Sequence, residues 1–252
     1  MNEVRLATPQ GASASISLFG AHLMSWRTAD GKERLFMSSR ALLDGSTAIR
    51  GGVPVIFPQF NQRGPGQRHG FARTSTWRLA AQGADWAELV LAPQDLAPVV
   101  AQAWPHAFEA RLRFALRGDT LDMRFTVRNS GSAAFDFGGA LHTYFALDEF
   151  NRAVLHGLRD TPELHFADAL DEACAGTAQL RLESGAGTLL LQQEGFSEWV
   201  VWNPGAEGAA ATRDLAPGDE RRFVCIEPAC VEQRPLAAGA EWAGHHSISL
   251  IP

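Results

Sequence analysis

The strictest constraint on the fold of this chain is an alternation of apolar and charged residues between positions 111 and 128. Every second residue on both sides of the dipeptide Gly118-Asp119 is apolar; the set is Leu112, Phe114, Leu116, Leu121, Met123, Phe125 and Val127. Successive side chains of a β-strand point to opposite faces of its sheet. The pattern therefore predicts a hairpin with one buried face and one wet face, and the intervening arginines should lie on the wet face.

Short segments of the same kind recur along the chain, separated by turns rich in Gly, Pro and Asp. Helical patterns are scarce. We expect one short helix within Gln94–Trp104, ending before Pro105, and one helical turn at Ser38–Leu43. Many short strands with few helical turns favour an antiparallel, all-β sandwich or barrel. No repeat or linker interrupts residues 1–252, so we expect a single domain.

Composition limits the location of the protein and its cofactor chemistry. The chain shows no signal-peptide pattern and no apolar run near the roughly 18 residues of a membrane span, which predicts a cytoplasmic protein. The three cysteines lack CxxC spacing and are expected to be reduced. A net charge of −6 argues against nucleic-acid binding. Spacings typical of metal ligands and of nucleotide-binding glycine loops are missing, so we expect no metal and no cofactor.

A basic stretch stands out in this acidic chain. No carboxylate occurs between Asp44 and Asp85, and that interval contains five arginines at positions 50, 63, 68, 73 and 78. The stretch is rich in Gly and Pro, which predicts loops, and the planar guanidinium suits phosphate or carboxylate. The arginines alternate with aromatic residues and a histidine, which favours an anion pocket. A solvated basic loop is the alternative interpretation.

Three positions offer side chains that can move protons. His69 lies inside the basic stretch, His142 follows a run of small residues, and Glu227 ends the apolar segment Phe223–Glu227. Strand geometry places Phe223, Cys225 and Glu227 on one face, and an enclosed carboxylate must be partnered or have a raised pKa. His142 could instead be a core histidine, and Glu227 could face solvent. Cys225 is interpreted as a small apolar residue and not as a nucleophile.

Five ordered motifs resemble one known family. They are Ile49-Arg-Gly-Gly-Val-Pro-Val-Ile-Phe-Pro-Gln-Phe60, His69-Gly-Phe-Ala-Arg73, Leu141-His-Thr-Tyr-Phe145, Val201-Trp-Asn-Pro-Gly205 and Phe223-Val-Cys-Ile-Glu-Pro228. Together they are similar to those of the glucose-6-phosphate 1-epimerases, hexose-6-phosphate mutarotases of the aldose 1-epimerase superfamily. The resemblance implies a galactose-mutarotase-like β-supersandwich. It also implies interconversion of the α and β anomers of a hexose 6-phosphate without a cofactor.

The resemblance also implies roles for particular residues. The catalytic histidine and glutamate of the family correspond to His142 and Glu227, and its substrate-binding arginines correspond to Arg50 and Arg73. The loop histidine corresponds to His69. In the implied mechanism, Glu227 as a carboxylate takes the proton of the C1 hydroxyl while protonated His142 donates to the ring oxygen, which predicts a bell-shaped pH profile.

Two positions match the family less closely. Arg68 stands where the family often has Gln, so this residue could contact the sugar, the phosphate or solvent. The family's sugar-binding aspartate is assigned to Asp168, with Asp160 as the rival assignment.

Three functions remain in competition at this point. The first is a monomeric hexose-6-phosphate mutarotase with a small-molecule substrate. The second is a mutarotase for free aldoses, and the third is a noncatalytic sugar-phosphate binding module.

Overall fold

The computed structural model describes residues 2–251 and is built almost entirely of β-strands. In chain order, the strands are β1 (Glu3–Ala7), β2 (Ser13–Ser17), β3 (His22–Arg27), β4 (Val55–Ile56), β5 (Arg78–Gln82), β6 (Trp86–Leu91), β7 (Phe108–Arg117), β8 (Thr120–Asn129), β9 (Phe135–Leu141), β10 (Tyr144–Ala146), β11 (Val154–His156), β12 (Glu163–His165), β13 (Leu170–Ala175), β14 (Gln179–Ser184), β15 (Gly187–Glu194), β16 (Glu198–Asn203), β17 (Phe223–Leu236) and β18 (Glu241–Ile251).

The strands form three antiparallel sheets in the described part of the chain. The smallest has the order β1-β2-β3. A six-stranded sheet has the order β13-β16-β17-β9-β4, with β10 paired to β17, and a nine-stranded sheet has the order β12-β11-β14-β15-β18-β8-β7-β6-β5. Buried residues of all three sheets meet in one large apolar cluster. The expected antiparallel, all-β sandwich is confirmed.

The alternating segment forms the predicted hairpin. Strands β7 and β8 pair from Phe108↔Asn129 to Arg117↔Thr120, with the turn at Gly118-Asp119. All seven apolar residues of the alternation are buried. On the outer face, the guanidinium of Arg113 lies 3.9 Å from the centre of the Trp86 ring. The arginines of this hairpin are therefore surface residues, as predicted.

Helices are few and short. The first, α1 (Pro98–Ala103), lies inside the segment predicted to be helical but is shorter, because it begins at a proline and a separate 3-10 turn occupies Pro93–Asp95. The second, α2 (Gly205–Ala211), was not expected. Other 3-10 turns are Ala72–Thr74, Phe150–Arg152 and Asp219–Arg221. Among residues 2–251, no helix is both long enough and apolar enough to cross a lipid bilayer.

The expected helical turn at Ser38–Leu43 is wrong. The hydroxyl of Ser38 accepts a hydrogen bond from the Arg40 backbone amide and bonds the Asp219 carboxylate at 3.0 Å. Short polar side chains that bond nearby backbone amides favour turns over helices. The distant partner Asp219 then holds this segment as a loop.

The two faces of the six-stranded sheet differ. On β17, Val224 and Ile226 point into the main apolar cluster. Cys225 and Glu227, which alternate with them, point to the opposite face, where Cys225 packs in a small separate cluster with Phe223. That second face is the floor of the site described next.

Candidate active site

Strand pairing brings His142 and Glu227 together. Tyr144 of β10 is the pairing partner of Cys225 on β17, and His142 and Glu227 lie two residues away from them on the same face. The imidazole Nδ1 of His142 lies 3.3 Å from Oε1 of Glu227. The Cys225 sulfur lies within 4.8 Å of ligand atoms of both residues. Antiparallel register thus joins two segments that are far apart in the chain.

The floor opens into a cavity of about 160 Å³. The lining residues come from the basic stretch, from β13 and β16, from the end of α2 and from the floor itself; they are Arg50, Phe60, Asn61, Arg68, His69, Arg73, His142, Asp171, Val200, Trp202, Thr212 and Glu227. All the predicted site residues except Asp168 therefore line one cavity. Asn61, Asp171 and Thr212 were not expected there.

Asp168 lies elsewhere. It lines a separate small cavity with Phe150 and Asn203, whereas Asp171 lines the cavity beside Glu227. The reason is strand register, since Asp171 lies on β13 opposite Trp202 of β16 and Asp168 precedes that strand. Asp160, the rival assignment, also does not line the cavity. We therefore replace Asp168 by Asp171 in the candidate site.

Hydrogen bonds within the loop, several of them made by the Gln59 side-chain amide, hold the segment that carries His69. The Gln59 side chain accepts a hydrogen bond from the Gly66 amide at 2.7 Å and donates to the Asn61 carbonyl at 3.2 Å. His69 has a positive φ of 64°, which is uncommon for a residue with a side chain. Its Nδ1 accepts a hydrogen bond from the Asn61 amide, and its ring centre lies 5.9 Å from that of His142. The loop thus places His69 directly over the floor.

Arg50 is fixed by two partners. Its Nε donates to the Asp214 carboxylate at 3.1 Å, and its Nη1 donates to the Tyr144 hydroxyl at 2.9 Å. Burial lowers the pKa of Arg50, but Tyr144 and Asp214 outweigh burial and raise it. Gly52, with φ +57°, follows, and a Cβ there would lie 2.1 Å from the Leu23 carbonyl oxygen. A side chain at position 52 would therefore displace the backbone beside Arg50.

Tyr144 connects Arg50 to the acid-base pair. Its ring is stacked on the His142 imidazole, with ring centres 4.9 Å apart and planes inclined by 9°. Burial raises the pKa of the Tyr144 hydroxyl, so it remains a neutral phenol. Tyr144 is the only tyrosine of the chain, and the sequence analysis assigned it no role. Its contact with Arg50 could not be inferred without the fold.

Arg73 has fewer hydrogen-bonding partners than Arg50, and none of them is a carboxylate among residues 2–251. Its Nη2 donates to the Arg68 carbonyl at 3.0 Å, while its buried Nε has no hydrogen-bond partner within residues 2–251. Burial and the neighbouring Arg50 and Arg68 lower the pKa of Arg73 to about 10, so it remains charged at neutral pH. In the described chain, neither Arg68 nor Arg73 forms an ion pair with a carboxylate. The two remaining arginines of the stretch, Arg63 and Arg78, pair with Glu232 and Asp95 outside the cavity.

Burial controls the protonation of the acid-base pair. It lowers the pKa of His142 well below the usual range, and His69, Arg73 and Arg50 add to that effect. Burial raises the pKa of Glu227 well above the usual range, and Asp171 adds to it while Arg73 opposes it. Burial in the site therefore favours a neutral imidazole beside a protonated carboxyl group. Likewise, burial and the arginines lower the pKa of His69 to about 3, which leaves His69 neutral.

Comparison with known proteins identifies the fold. A crystal structure from Salmonella typhimurium, described as "a putative mutarotase", superposes with a TM-score of 0.82 at 24% identity, covering 99% of this chain and 90% of that one. A galactose mutarotase related enzyme from Lactobacillus acidophilus superposes with a TM-score of 0.76 at 16% identity, covering 100% and 98%. The fold is that of the galactose mutarotase-like proteins.

Sequence comparison identifies the family. The family model for aldose 1-epimerase matches residues 2–165. A protein of Cenchrus ciliaris, described as a "Putative glucose-6-phosphate 1-epimerase", is 30% identical over 287 aligned positions, covering 100% of this chain and 85% of that protein. An Escherichia coli protein of the same description is 29% identical, covering 86% of this chain and 79% of that protein. The chain belongs to the aldose 1-epimerase family.

Proposed function

We propose that this protein interconverts the α and β anomers of a hexose 6-phosphate, with glucose 6-phosphate as the first candidate. The observation that carries the proposal is a buried His142 and Glu227 pair at the floor of a cavity that three guanidinium groups line. The description of the relatives from Cenchrus ciliaris and Escherichia coli points to the same substrate. A free hexose would not need the cationic wall that Arg50, Arg68 and Arg73 form.

The guanidinium groups supply the phosphate site. Arg50 still has donors free after its bonds to Asp214 and Tyr144, and Arg68 and Arg73 have no carboxylate partner within residues 2–251. Charge-assisted hydrogen bonds to phosphate are about twice as strong as neutral ones. Bound phosphate would also offset the repulsion that lowers the pKa of Arg73. The phosphate thus anchors the substrate and places C1 over the floor.

Three other residues that line the cavity suit the sugar. Asp171 and Asn61 can bond hydroxyl groups, and Trp202 offers an aromatic surface at the edge of the His142 ring, with ring centres 5.9 Å apart. An exposed carboxylate facing a sugar ring accepts two hydroxyl donors, which fixes the orientation of the ring. We assign Asp171 this role in place of Asp168.

The chemistry needs one proton shared by two groups. Glu227 takes the proton of the C1 hydroxyl and His142 gives one to the ring oxygen, so the C1–O5 bond breaks and an open-chain aldehyde forms. Rotation about C1–C2 presents the other carbonyl face. The reverse transfers then close the ring as the other anomer. A general acid and a general base each contribute about 10²- to 10⁴-fold to such a step.

The starting protonation state differs from the charged pair expected from sequence. Because burial lowers the pKa of His142 and raises that of Glu227, the proton rests on Glu227 before the reaction begins. Its transfer across 3.3 Å to Nδ1 of His142 creates the acid and the base together. Nε2, the imidazole nitrogen on the far side from Glu227, can then donate to the ring oxygen. The pair as a whole titrates, which preserves a bell-shaped pH profile.

We further propose that the protein works as a monomer in the cytoplasm. Its three cysteines are free, as is usual in a reducing compartment. A hexose phosphate is charged and cannot cross a lipid bilayer unaided, so the enzyme must share a compartment with its substrate.

The direct test is exchange spectroscopy by NMR on glucose 6-phosphate at equilibrium. The wild-type protein should increase the rate of exchange between the α and β anomers, and Glu227→Gln should lower that increase by about 10²- to 10⁴-fold. Glutamine keeps the size of the side chain but cannot take a proton. Full activity in Glu227→Gln would refute the mechanism, and no acceleration by the wild-type protein would refute the function.

A further inference from the structure

Three buried side chains at the floor form a group that the mutarotase reaction does not use as a set. His142, Cys225 and Glu227 each present one ligand atom, and these atoms lie within 4.8 Å of one another. Nδ1 of His142 and Oε2 of Glu227 are buried without a hydrogen-bond partner in the chain from 2 to 251. Buried polar atoms are rarely left unpaired in proteins. The unpaired atoms therefore indicate that a ligand can complete the group.

We propose that this trio is a binding site for a thiophilic divalent cation, zinc foremost, and that the bound ion reversibly blocks the sugar site. Imidazole, thiolate and carboxylate are the three ligand types that zinc accepts, whereas magnesium and calcium prefer oxygen alone. The inhibitory consequence rests on the proposed function, because the ion would occupy the two groups that move protons. Binding of the ion itself does not rest on it.

The distances fit a small tetrahedral ion. Zinc bonds of about 2.0–2.3 Å place neighbouring ligand atoms of a tetrahedron about 3.3–3.7 Å apart. The His142 and Glu227 atoms are already 3.3 Å apart. The remaining separations are at most 4.8 Å and must shorten by about 1 Å on zinc binding. The proposal therefore requires side-chain rotation of that size at the floor.

Access and coordination number also fit. His142 and Glu227 line the cavity, while Cys225 lies behind them, fully buried against Tyr144 and Phe223. An ion that enters through the cavity meets the imidazole and the carboxylate first and then the thiol. Its fourth position faces the cavity, where a water or a sugar hydroxyl can bind. Three protein ligands with one open position are typical of zinc sites that exchange ligands.

Zinc can bind near the three arginines because its ligands cancel its positive charge. On binding, the Cys225 thiol and the Glu227 carboxyl group each release a proton to solvent, so that thiolate and carboxylate cancel the two charges of zinc beside a neutral imidazole. Arg50 is already paired with Asp214, and the Asp171 carboxylate lines the same cavity. The complex of zinc with its three ligands is neutral and therefore adds no net charge to the cationic wall.

The test uses cobalt(II) as a spectroscopic substitute for zinc on the full chain under reducing conditions, with a reductant that does not bind metal. Cobalt should bind with one equivalent and produce a thiolate-to-cobalt absorption band, and added zinc should remove that band. Cys225→Ala should lose the band and weaken cobalt binding by more than about tenfold. Removing a group that only hydrogen-bonds to a metal ligand already costs about 10- to 100-fold in affinity, and removing a ligand should cost at least as much. Cys230→Ala, a matched control whose thiol lies in the main core, should retain both.

His142→Asn is the second variant and should also weaken binding, which keeps the test valid if Cys225→Ala folds poorly. Absence of the band in the wild-type protein, or an equal band in Cys225→Ala, would overturn the proposal. Anomer exchange is measured on the metal-free protein and again after cobalt is added, and it should be lost on cobalt binding and recover when the metal is removed. A metal-free protein that binds cobalt but has no mutarotase activity would refute the proposed function alone, activity without cobalt binding would refute the metal site alone, and full activity with cobalt bound would refute the inhibitory role of the ion.

Discussion

The arginines of the β7 and β8 hairpin and those of the cavity have opposite surroundings. On the hairpin, Arg111 donates at 2.8 Å to both Glu88 and Glu109, and Arg113 covers the ring of Trp86. In the cavity, Arg68 and Arg73 have no carboxylate partner among the residues described. Both regions alternate arginine with apolar residues in the sequence. What separates a functional arginine from a surface one is the partner that the fold gives it.

The largest effect should come from the floor of the cavity. His142→Asn replaces the imidazole by an amide, which can still form hydrogen bonds but cannot be protonated, so the kcat for glucose 6-phosphate should fall by about 10²- to 10⁴-fold. NMR exchange rates measure this directly. Arg111→Ala, on the hairpin, is the control and should leave kcat unchanged. A similar fall in both variants would remove the distinction between the two regions.

The second largest effect on activity should come from Arg73, whose guanidinium has no carboxylate partner among residues 2–251. Arg73→Ala should reduce kcat/KM for glucose 6-phosphate by about 10- to 100-fold, since hydrogen bonds to charged groups contribute about 1.5–3 kcal/mol. The rate on free glucose should change little. Arg111→Ala should alter neither rate, because Arg111 is satisfied by carboxylates. Equal losses on both sugars would show that Arg73 supports the fold and does not bind phosphate.

A smaller effect should follow from loosening Arg50. Tyr144→Phe removes the hydroxyl that accepts the Arg50 hydrogen bond and leaves the ring stacked on His142. We expect KM for glucose 6-phosphate to rise by about 2- to 10-fold, as loss of one ordinary hydrogen bond predicts. The kcat should remain within about twofold of the wild-type value. A fall in kcat with unchanged KM would assign Tyr144 to the chemistry and contradict a positioning role.

The smallest effect should be that of mildly acidic pH. Because burial lowers the pKa of His142 well below 6.5, the pair gains no second proton as the pH falls from 7 to 5.5. The kcat should therefore stay nearly constant in this window and decrease only at lower pH. At high pH it should decrease as Glu227, whose pKa burial raises, loses the shared proton.

This pH profile must be measured with saturating substrate, because the substrate phosphate itself titrates near pH 6. Spontaneous mutarotation is subtracted at each pH. A tenfold decrease in kcat per pH unit below 6.5 would indicate an ordinary, solvated histidine and contradict the burial of the pair.

The sequence was informative wherever the signal was local. Alternation alone predicted β7, β8 and the turn between them, because a sheet with one buried face imposes that pattern. The absence of carboxylates from 45 to 84 located the cationic wall. The same gap in carboxylates could not distinguish the arginines that line the cavity from Arg63 and Arg78. These two form ion pairs with Glu232 and Asp95.

Features that depend on the register between paired strands could not be predicted from the sequence. The sequence offered Asp168 and Asp160 for the sugar-binding aspartate, and Asp171 emerged only from its pairing with Trp202, which places it at the cavity. The contact between Tyr144 and Arg50 joins strand β10 to a loop that is distant in sequence, and the fold determines how closely they approach. Helix α2 was missed because its sequence, Gly-Ala-Glu-Gly-Ala-Ala-Ala, contains two glycines, which lower helix propensity.

The central claim is that unpaired arginines over a buried proton-sharing pair select a phosphorylated sugar. The most direct measurement is the ratio of kcat/KM for glucose 6-phosphate to kcat/KM for glucose, determined by NMR exchange on the wild-type protein and on Arg73→Ala. We predict a ratio well above 10 for the wild-type protein and a ratio at least about tenfold smaller for the variant. Equal rates on the two sugars, or a ratio that Arg73→Ala leaves unchanged, would contradict the account.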